Sequence, residues 1–113
     1  MKTASLYKDL TYQDAKPLVQ PLLETDFTRE IRIVFKQGQV MKKHFTPFPI
    51  VIEIVDGEIA FGVDGEVYSA VKGDLISLQG GVPHDLTAQT DSIVRLTLSK
   101  SDRSERVEAA ANL

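Results

Sequence analysis

The sequence predicts one all-β domain, built as a barrel or a sandwich. Apolar and polar residues alternate with a period of two over residues 31–36 and again over 94–99, as in strands that bury one face. Between these segments, turn dipeptides recur about every eight to ten residues, at Asp56-Gly57, Asp64-Gly65 and Gly73-Asp74. A chain of 113 residues fits a single domain near the most common domain size.

The first half of the chain contains an irregular segment and a strand that is apolar on both faces. Residues 1–26 include Pro17 and Pro21, which prevent a long helix and leave short extended pieces. The run from Ile50 to Val55 is apolar on both faces except at Glu53. We expect such a strand to be covered on both sides, by the barrel contents and by another sheet or subunit.

The second half consists of short strands separated by turns. Further strands are expected around residues 59–61, 67–71 and 75–78 because each follows a turn dipeptide. The last strand is expected at residues 94–98. The tail, residues 100–113, is polar and then alanine-rich, which predicts a short helix or a frayed end.

Composition and charge narrow the range of partners. Thirteen basic and sixteen acidic residues give a net charge of −3 without a basic block, so we expect no nucleic acid and no membrane partner. No apolar run approaches the roughly 20 residues of a membrane span, and the N-terminus lacks the apolar stretch of a secretory signal. These features predict a cytoplasmic protein. The absence of cysteine excludes disulfides, thiolate metal ligands and cysteine nucleophiles.

His44 and His84 are the only histidines in the chain, and each lies on or beside a predicted strand. Histidine is the most common side-chain metal ligand and the side chain that most readily exchanges protons near neutral pH. Gly38 precedes the first histidine and Gly73 the second, at spacings typical of two facing barrel walls. The pattern predicts that the two imidazoles share one pocket.

The residues around the first histidine resemble a motif of the small single-domain cupins. That motif places a glycine, a His-x-His pair, a glutamate and a second glycine at fixed intervals. Gly38, His44 and Gly57 fall at the expected positions. Thr46 occupies the second histidine position, and Ile50 occupies the glutamate position.

The second cupin motif is matched in the same partial way. Gly73, Gly81 and His84 keep its spacing. Gln79 replaces its proline and Ala88 its asparagine. The resemblance therefore preserves the spacing of both motifs but only half of the metal ligands.

The resemblance implies an all-β, cupin-type jelly-roll β-barrel of the RmlC-like kind, in a single domain. On this reading, residues 1–29 form an extended segment that packs on the barrel or on a dimer partner. Residues 30–99 form the cupin barrel, and residues 100–113 form the polar tail with a short C-terminal helix. A complete cupin site holds a divalent transition metal with three imidazoles and one carboxylate. Here His44 and His84 are the predicted metal ligands, and water or substrate completes the shell.

The resemblance and the strand pattern together define a set of candidate ligand-binding residues: His44, His84, Thr46, Phe48 and Lys42. Each has a simpler structural interpretation. The histidines can be buried and hydrogen-bonded to backbone or water. Thr46 can be a β-branched core residue, Phe48 ordinary core, and Lys42 a solvated strand-end lysine. No catalytic residue is assigned.

Three functions are compatible with the sequence. The first is a binding module that holds a small-molecule ligand in a barrel pocket centred on the two histidines. The second is a metal-dependent oxygenase or isomerase whose ion is held by His44 and His84. The third is a metal-free isomerase or epimerase in which one histidine is a general base, with Lys42 or the other histidine stabilising charge. A homodimer is expected because the strand from Ile50 to Val55 is apolar on both faces.

Overall fold

A computed structural model describes residues 1–100 and 104–112. Nine strands and one helix are found in this part of the chain. In chain order they are β1 (Leu18–Glu24), β2 (Thr28–Phe35), β3 (Val40–His44), β4 (Ile50–Asp56), β5 (Glu58–Val63), β6 (Glu66–Val71), β7 (Leu75–Leu78), β8 (His84–Ala88), β9 (Ser92–Ser99) and α1 (Ser104–Ala111). Among the described residues, no helix is long and apolar enough to cross a bilayer.

The strands form two antiparallel sheets that enclose one core. The five-stranded sheet has the order β1-β2-β9-β4-β7, and the four-stranded sheet has the order β3-β8-β5-β6. This arrangement is the predicted jelly roll. Alternate residues of each strand point inwards, so the core collects the aliphatic residues on one face of every strand. The central inward rows are Ile31, Ile33 and Phe35 on β2, Ile50, Ile52 and Ile54 on β4, and Val94, Leu96 and Leu98 on β9.

The predicted turns lie where the dipeptides indicate them. Asp64 and Gly65 have φ values of 54° and 77° and join β5 to β6 in a two-residue hairpin. Both positive angles match the turn type whose twist fits a hairpin. Gly57 has a φ of 87°, and a Cβ at this position would lie 2.4 Å from the Asp91 carbonyl oxygen. Only glycine fits that turn.

The N-terminal segment lies on the outer face of the five-stranded sheet and is held there by a buried arginine. Arg32 on β2 is 2% exposed, and its Nη1 donates hydrogen bonds to the carbonyl oxygens of Leu6 (3.1 Å) and Lys8 (2.9 Å). Its Nε and Nη2 donate to Oε1 of Gln20. A buried guanidinium requires such a set of acceptors.

The outer face of β4 is only partly covered within one chain. Glu53 forms an ion pair with Arg95 of the adjacent strand, with 2.9 Å between Oε1 and Nε. Val51, on the same outer face, remains 39% exposed. The covering expected on both faces of this strand is therefore complete only on the core side.

The C-terminal helix α1 packs on β3 and β1 and closes part of the core. Val107, Ala110 and Ala111 are buried, at a spacing that places them on one helical face. Lys16 binds Glu108 and Asn112, which fastens the helix to the N-terminal segment. Residues 101–103 and 113 of the predicted tail lie outside the described residues.

Candidate functional site

His44 and His84 occupy facing positions on neighbouring strands. They are cross-strand partners in the β3–β8 ladder. Residues directly opposite each other in an antiparallel pair have Cβ atoms about 5 Å apart, so their side chains meet. The ring centroids are 4.4 Å apart, with an angle of 57° between the planes. The structure thus brings together the two histidines that the sequence singled out.

A β-bulge gives His44 its direction. The pairing of β3 with β8 is regular at Met41, which faces Leu86, and shifts before His44. In a regular strand, residues three positions apart point to opposite faces, whereas an extra residue in a bulge restores the same face. Met41 and His44 consequently both line the core cavity, and Lys42 and Lys43 between them are exposed.

Backbone carbonyls determine the tautomer of both imidazoles. Nδ1 of His44 lies 2.7 Å from the Lys42 carbonyl oxygen, and Nδ1 of His84 lies 3.0 Å from that of Val82. A carbonyl oxygen can only accept, so each Nδ1 carries the proton and donates it. In the neutral rings Nε2 then has a free lone pair. Both side chains are prepared to accept a hydrogen bond or to bind an electrophile through Nε2.

Burial keeps His84 neutral. The side chain is 3% exposed and stacks on Phe61, with 5.8 Å between the ring centroids and 15° between the planes. Loss of hydration lowers the pKa of His84 below the usual 6.5, and the nearby His44 lowers it further. The bond to Val82 and the Asp85 carboxylate oppose this shift without reversing it. At neutral pH the ring is therefore an acceptor at Nε2 and not a cation.

The space beside the two rings is small and apolar. The cavity has a volume of about 20 Å³. It is lined by Ile33, Met41, His44, Ile52, His84, Leu86, Val94, Leu96 and Val107. A volume of this size holds about one water molecule. Val107 comes from α1, so the helix forms one wall of the cavity.

The other predicted ligand-binding residues lie outside this cavity. Thr46 is 5% exposed, but its hydroxyl donates to the Phe48 carbonyl (2.8 Å), and its own carbonyl accepts from the Gly81 N–H (2.7 Å). It links two loops instead of facing the histidines. Phe48 is half-buried, and Lys42 is exposed because the bulge directs it outwards. The structure brings together two of the five candidates.

Three cavity residues, Met41, Leu86 and Val107, were missed by the sequence analysis. Met41 could not be recognised because the bulge that turns it towards His44 leaves no signal in the alternation. Val107 could have been found, since Val107, Ala110 and Ala111 have the i, i+3, i+4 spacing of a buried helical face. Larger clefts of about 340 and 350 Å³ lie elsewhere, beside the β5–β6 hairpin and between β6 and β7, and neither includes a histidine.

The donors around the histidines do not fit a divalent metal site. Ile50 at the glutamate position offers no ligand atom, and the Thr46 hydroxyl is already used. Glu53 is engaged with Arg95 on the opposite face of its sheet. Within the described residues, no three side chains of His, Cys, Asp or Glu form a group that could hold an ion. Two neutral imidazoles and space for about one water leave a divalent ion short of both charge and ligands.

Comparisons with known proteins agree with this fold. An RmlC-like cupin protein from Desulfovibrio desulfuricans is 25% identical, with 88% of this chain and 96% of that chain covered and a TM-score of 0.80. An RmlC-like cupin from Shewanella frigidimarina is 23% identical, with coverage of 88% and 91% and a TM-score of 0.73. KdgF from Halomonas sp. is 19% identical, with coverage of 88% and 94% and a TM-score of 0.74.

The sequence also matches a family model. No curated protein matches this chain. The model of the cupin domain matches residues 31–99, which is well over half of the sequence. This chain belongs to the cupin domain family.

Proposed function

We propose that this cupin binds a small molecule inside the barrel, oriented by His44 and His84. The observation that carries the proposal is the convergence of two imidazoles, 4.4 Å apart, on one small apolar cavity. Each Nδ1 is bonded to a backbone carbonyl, and within the described residues neither Nε2 has a hydrogen-bond partner. Two acceptors without partners at the edge of an apolar pocket are the kind of polar group that orients a ligand there.

The chemistry of the walls indicates the class of ligand. All lining residues other than the histidines are aliphatic or, in the case of Met41, a thioether. A complementary ligand has a compact apolar body and one hydroxyl or N–H group that it can donate to Nε2. A permanently charged ligand is disfavoured in this environment because the cavity offers no buried counter-charge.

Binding requires the cavity to open at α1. Small-molecule pockets usually measure about 300–1,000 Å³, far more than the present space. Among the described residues, the helix contributes Val107 to the lining, and the other lining residues belong to the two sheets. The helix is short, and its described contacts include the buried Val107 and two buried alanines, together with the bonds to Lys16. Displacement of α1 is therefore the least costly way to admit a ligand to the histidines.

A metal-free isomerase or epimerase is the second candidate. It is favoured by the fixed tautomer of His84, which leaves Nε2 as a base beside a mostly apolar cavity. In that case a bound substrate would lose a proton from carbon to Nε2, and His44 would stabilise the resulting charge. The metal-dependent alternative has less support, because the donor set is incomplete.

Three related probes test the proposal. Toluene, phenol and benzoate share a ring of similar size and differ in offering no donor, a neutral hydroxyl donor and an anion. With histidine labelled with ¹⁵N, we expect phenol to shift the signals of both imidazoles, toluene to bind more weakly and benzoate to bind least at neutral pH. Because phenol has one hydroxyl proton to donate, the variant that removes the accepting Nε2, either His44→Phe or His84→Phe, should weaken phenol binding by about tenfold, the value of one hydrogen bond.

The same experiment can contradict the proposal. Phenol binding that is unchanged in the His44→Phe/His84→Phe double variant would place the ligand elsewhere. Titration with Zn²⁺ separates the metal alternative: tight binding, lost in either single variant, would favour it over the binding module.

A further inference from the structure

The edges of the two sheets differ in how well they are protected. The edge strands are β1 and β7 of one sheet and β3 and β6 of the other. An edge strand presents unpaired N–H and C=O groups to which another chain can add. Proteins prevent this with proline, lysine, a bulge or a very short strand.

Three of the four edges carry such protection. Strand β1 contains Pro21 and a register shift beside it. Strand β3 contains Lys42, Lys43 and the bulge before His44. Strand β7 has only four residues. None of these strands offers a long regular edge.

Strand β6 lacks the proline, lysine, bulge and short length that protect the other three edges, and its one charged residue, Glu66, is at the first position beside the turn. Its six residues, Glu66–Val71, pair with β5 in an unbroken register and include neither proline nor lysine. Val67 is 74% exposed, Tyr68 50% and Val71 44%. Valine and tyrosine are residues that favour strands, and on a regular edge they promote pairing.

The hairpin geometry identifies the backbone groups that face away from β5. In a two-residue hairpin the residues that close the turn, Val63 and Glu66, exchange backbone hydrogen bonds, and the exchange then recurs at every second residue. The backbone groups of Val67, Ser69 and Val71 therefore point outwards. Val71 agrees with this direction, since its N–H donates to the Asp74 carboxylate (2.8 Å) and its carbonyl accepts from the Asp74 N–H (2.9 Å).

The outward groups of Val67 and Ser69 remain available. In residues 1–100 and 104–112, no hydrogen bond involves their outward N–H and C=O groups. We propose that a second copy of this chain pairs antiparallel with β6 about a two-fold axis at Tyr68. Val67 then faces Ser69 of the second copy, and Ser69 faces Val67 of the second copy. This register forms four backbone hydrogen bonds and joins two four-stranded sheets into one of eight strands.

Neighbouring registers are less favourable. If Ser69 faces Ser69 of the second copy, Val67 faces Val71 of the second copy, whose backbone groups are already bonded to Asp74. If Val67 faces Val67 of the second copy, Ser69 faces Gly65 of the second copy. Gly65 has a φ of 77° in the turn and cannot continue a ladder. Only the register centred on Tyr68 satisfies all four outward groups of each chain.

Charge complementarity supports the same register. It places Asp64 at the hairpin turn opposite Lys72 of the second copy, and the two-fold axis repeats the pair. Both residues are exposed in the single chain and have no ion-pair partner within the described residues. Leu75, 67% exposed on β7, lies at the same side of the barrel and would be shielded from water. The contact differs from the one expected at Ile50–Val55, because β4 lies inside its sheet between β9 and β7.

A single cysteine tests the register, because the chain has no cysteine of its own. In the proposed dimer Tyr68 faces Tyr68 of the second copy, and this pair exchanges no backbone hydrogen bonds. The Cα atoms of such a pair are about 4.5 Å apart, which is within the range of a disulfide. We expect Tyr68→Cys to form a reducible covalent dimer under mild oxidation. The matched control is Val71→Cys on the same strand, which in this register lies about 20 Å from its own copy and should remain monomeric on a denaturing gel.

Solution mass tests the dimer itself. We expect light scattering to give the mass of two chains at micromolar concentration. Val67→Lys introduces the protective residue that β6 lacks, and it should weaken the dimer by about tenfold or more without changing the circular dichroism spectrum. Should that variant fail to fold, Ser69→Lys provides the same test. The proposal would be overturned by a wild-type monomer at about 100 µM, far above a stable dimer's dissociation constant. Cross-linking at Val71→Cys that equals that at Tyr68→Cys would overturn it as well.

Discussion

Substitution of Val107 by alanine should destabilise the fold and expose the histidine pair. Val107 is 2% exposed and lies on α1, where it lines the cavity beside His44 and His84. The change removes the equivalent of two buried methylene groups. At about 0.8 kcal/mol each, the transfer term alone is about 1.6 kcal/mol. The enlarged cavity adds to this, so we expect a total loss of about 2–3 kcal/mol in the free energy of unfolding.

The helix can respond to the substitution in two ways, and each has a distinct signature. If α1 stays in place, the full loss appears in urea unfolding followed by circular dichroism. If it leaves the barrel, the loss is limited to the free energy of docking, and the histidines become accessible. Because the chain has only two histidines, their reaction with diethyl pyrocarbonate, followed by absorbance, reports this access directly.

The control is Val51→Ala on the outer face of β4, where the side chain is 39% exposed. We expect this substitution to cost less than about 1 kcal/mol and to leave histidine reactivity unchanged. The reasoning fails if Val107→Ala behaves like Val51→Ala in both measurements. That outcome would mean that the helix neither supports the barrel nor covers the site.

Three further predictions concern other parts of the molecule. Burial lowers the pKa of His84 below 6.5, so just below pH 6.5 the unfolded chain binds a proton at this histidine that the folded chain does not. The free energy of unfolding should therefore be unaffected by His84 above pH 6.5 and should decrease as the pH falls below it. The slope from this one group should reach at most about 1.4 kcal/mol per pH unit and disappear in His84→Phe, as measured by urea unfolding across pH. Arg32→Met should release the N-terminal segment, accelerate tryptic cleavage after Lys8 and cost about 2–4 kcal/mol; unchanged cleavage would argue against the anchoring role of the guanidinium. Gly57→Ala and Gly38→Ala both place alanine at a φ near 88°, but only the first meets backbone atoms within 3 Å. Thermal unfolding should show a loss of about 1 kcal/mol for Gly38→Ala and at least about 1–3 kcal/mol more for Gly57→Ala, and equal losses would contradict the close approach of Asp91 to Gly57.

The fold could be predicted from the sequence because its signals are local. Alternation at residues 31–35 and 94–98 specifies strands with one buried face, and Asp64-Gly65 specifies a hairpin of known twist. The glycine spacings led to the correct expectation that the two histidines lie close together, but the histidines lie on neighbouring strands of one sheet and not on two facing walls of the barrel. All of these features depend on neighbours within a few residues.

The details of the site could not be predicted, because they depend on irregularities and on distant packing. The bulge that turns Met41 and His44 to the same face interrupts the period of two, and nothing in the residues Lys42 and Lys43 indicates it. The use of the Thr46 hydroxyl by the Phe48 carbonyl depends on the path of a loop. The role of Val107 depends on where an eight-residue helix packs after the barrel has formed.

The apolar lining of the cavity has consequences for the charge of its ligand. His84 is held neutral by burial and by its neighbour His44, and its Nδ1 proton is committed to the Val82 carbonyl. His84 therefore presents an acceptor at Nε2 and no free donor at neutral pH. A neutral donor such as phenol can bind without a change of protonation, whereas an anion such as benzoate requires a proton on Nε2.

Calorimetry in buffers of different ionisation enthalpy distinguishes these cases. The enthalpy of phenol binding should be independent of the buffer. The enthalpy of benzoate binding should vary with the buffer, and its affinity should rise as the pH falls. A buffer-independent enthalpy for benzoate would mean that the anion is neutralised by another group, and the exposed lysines beside the β3 bulge would then be the nearest cations to test by substitution.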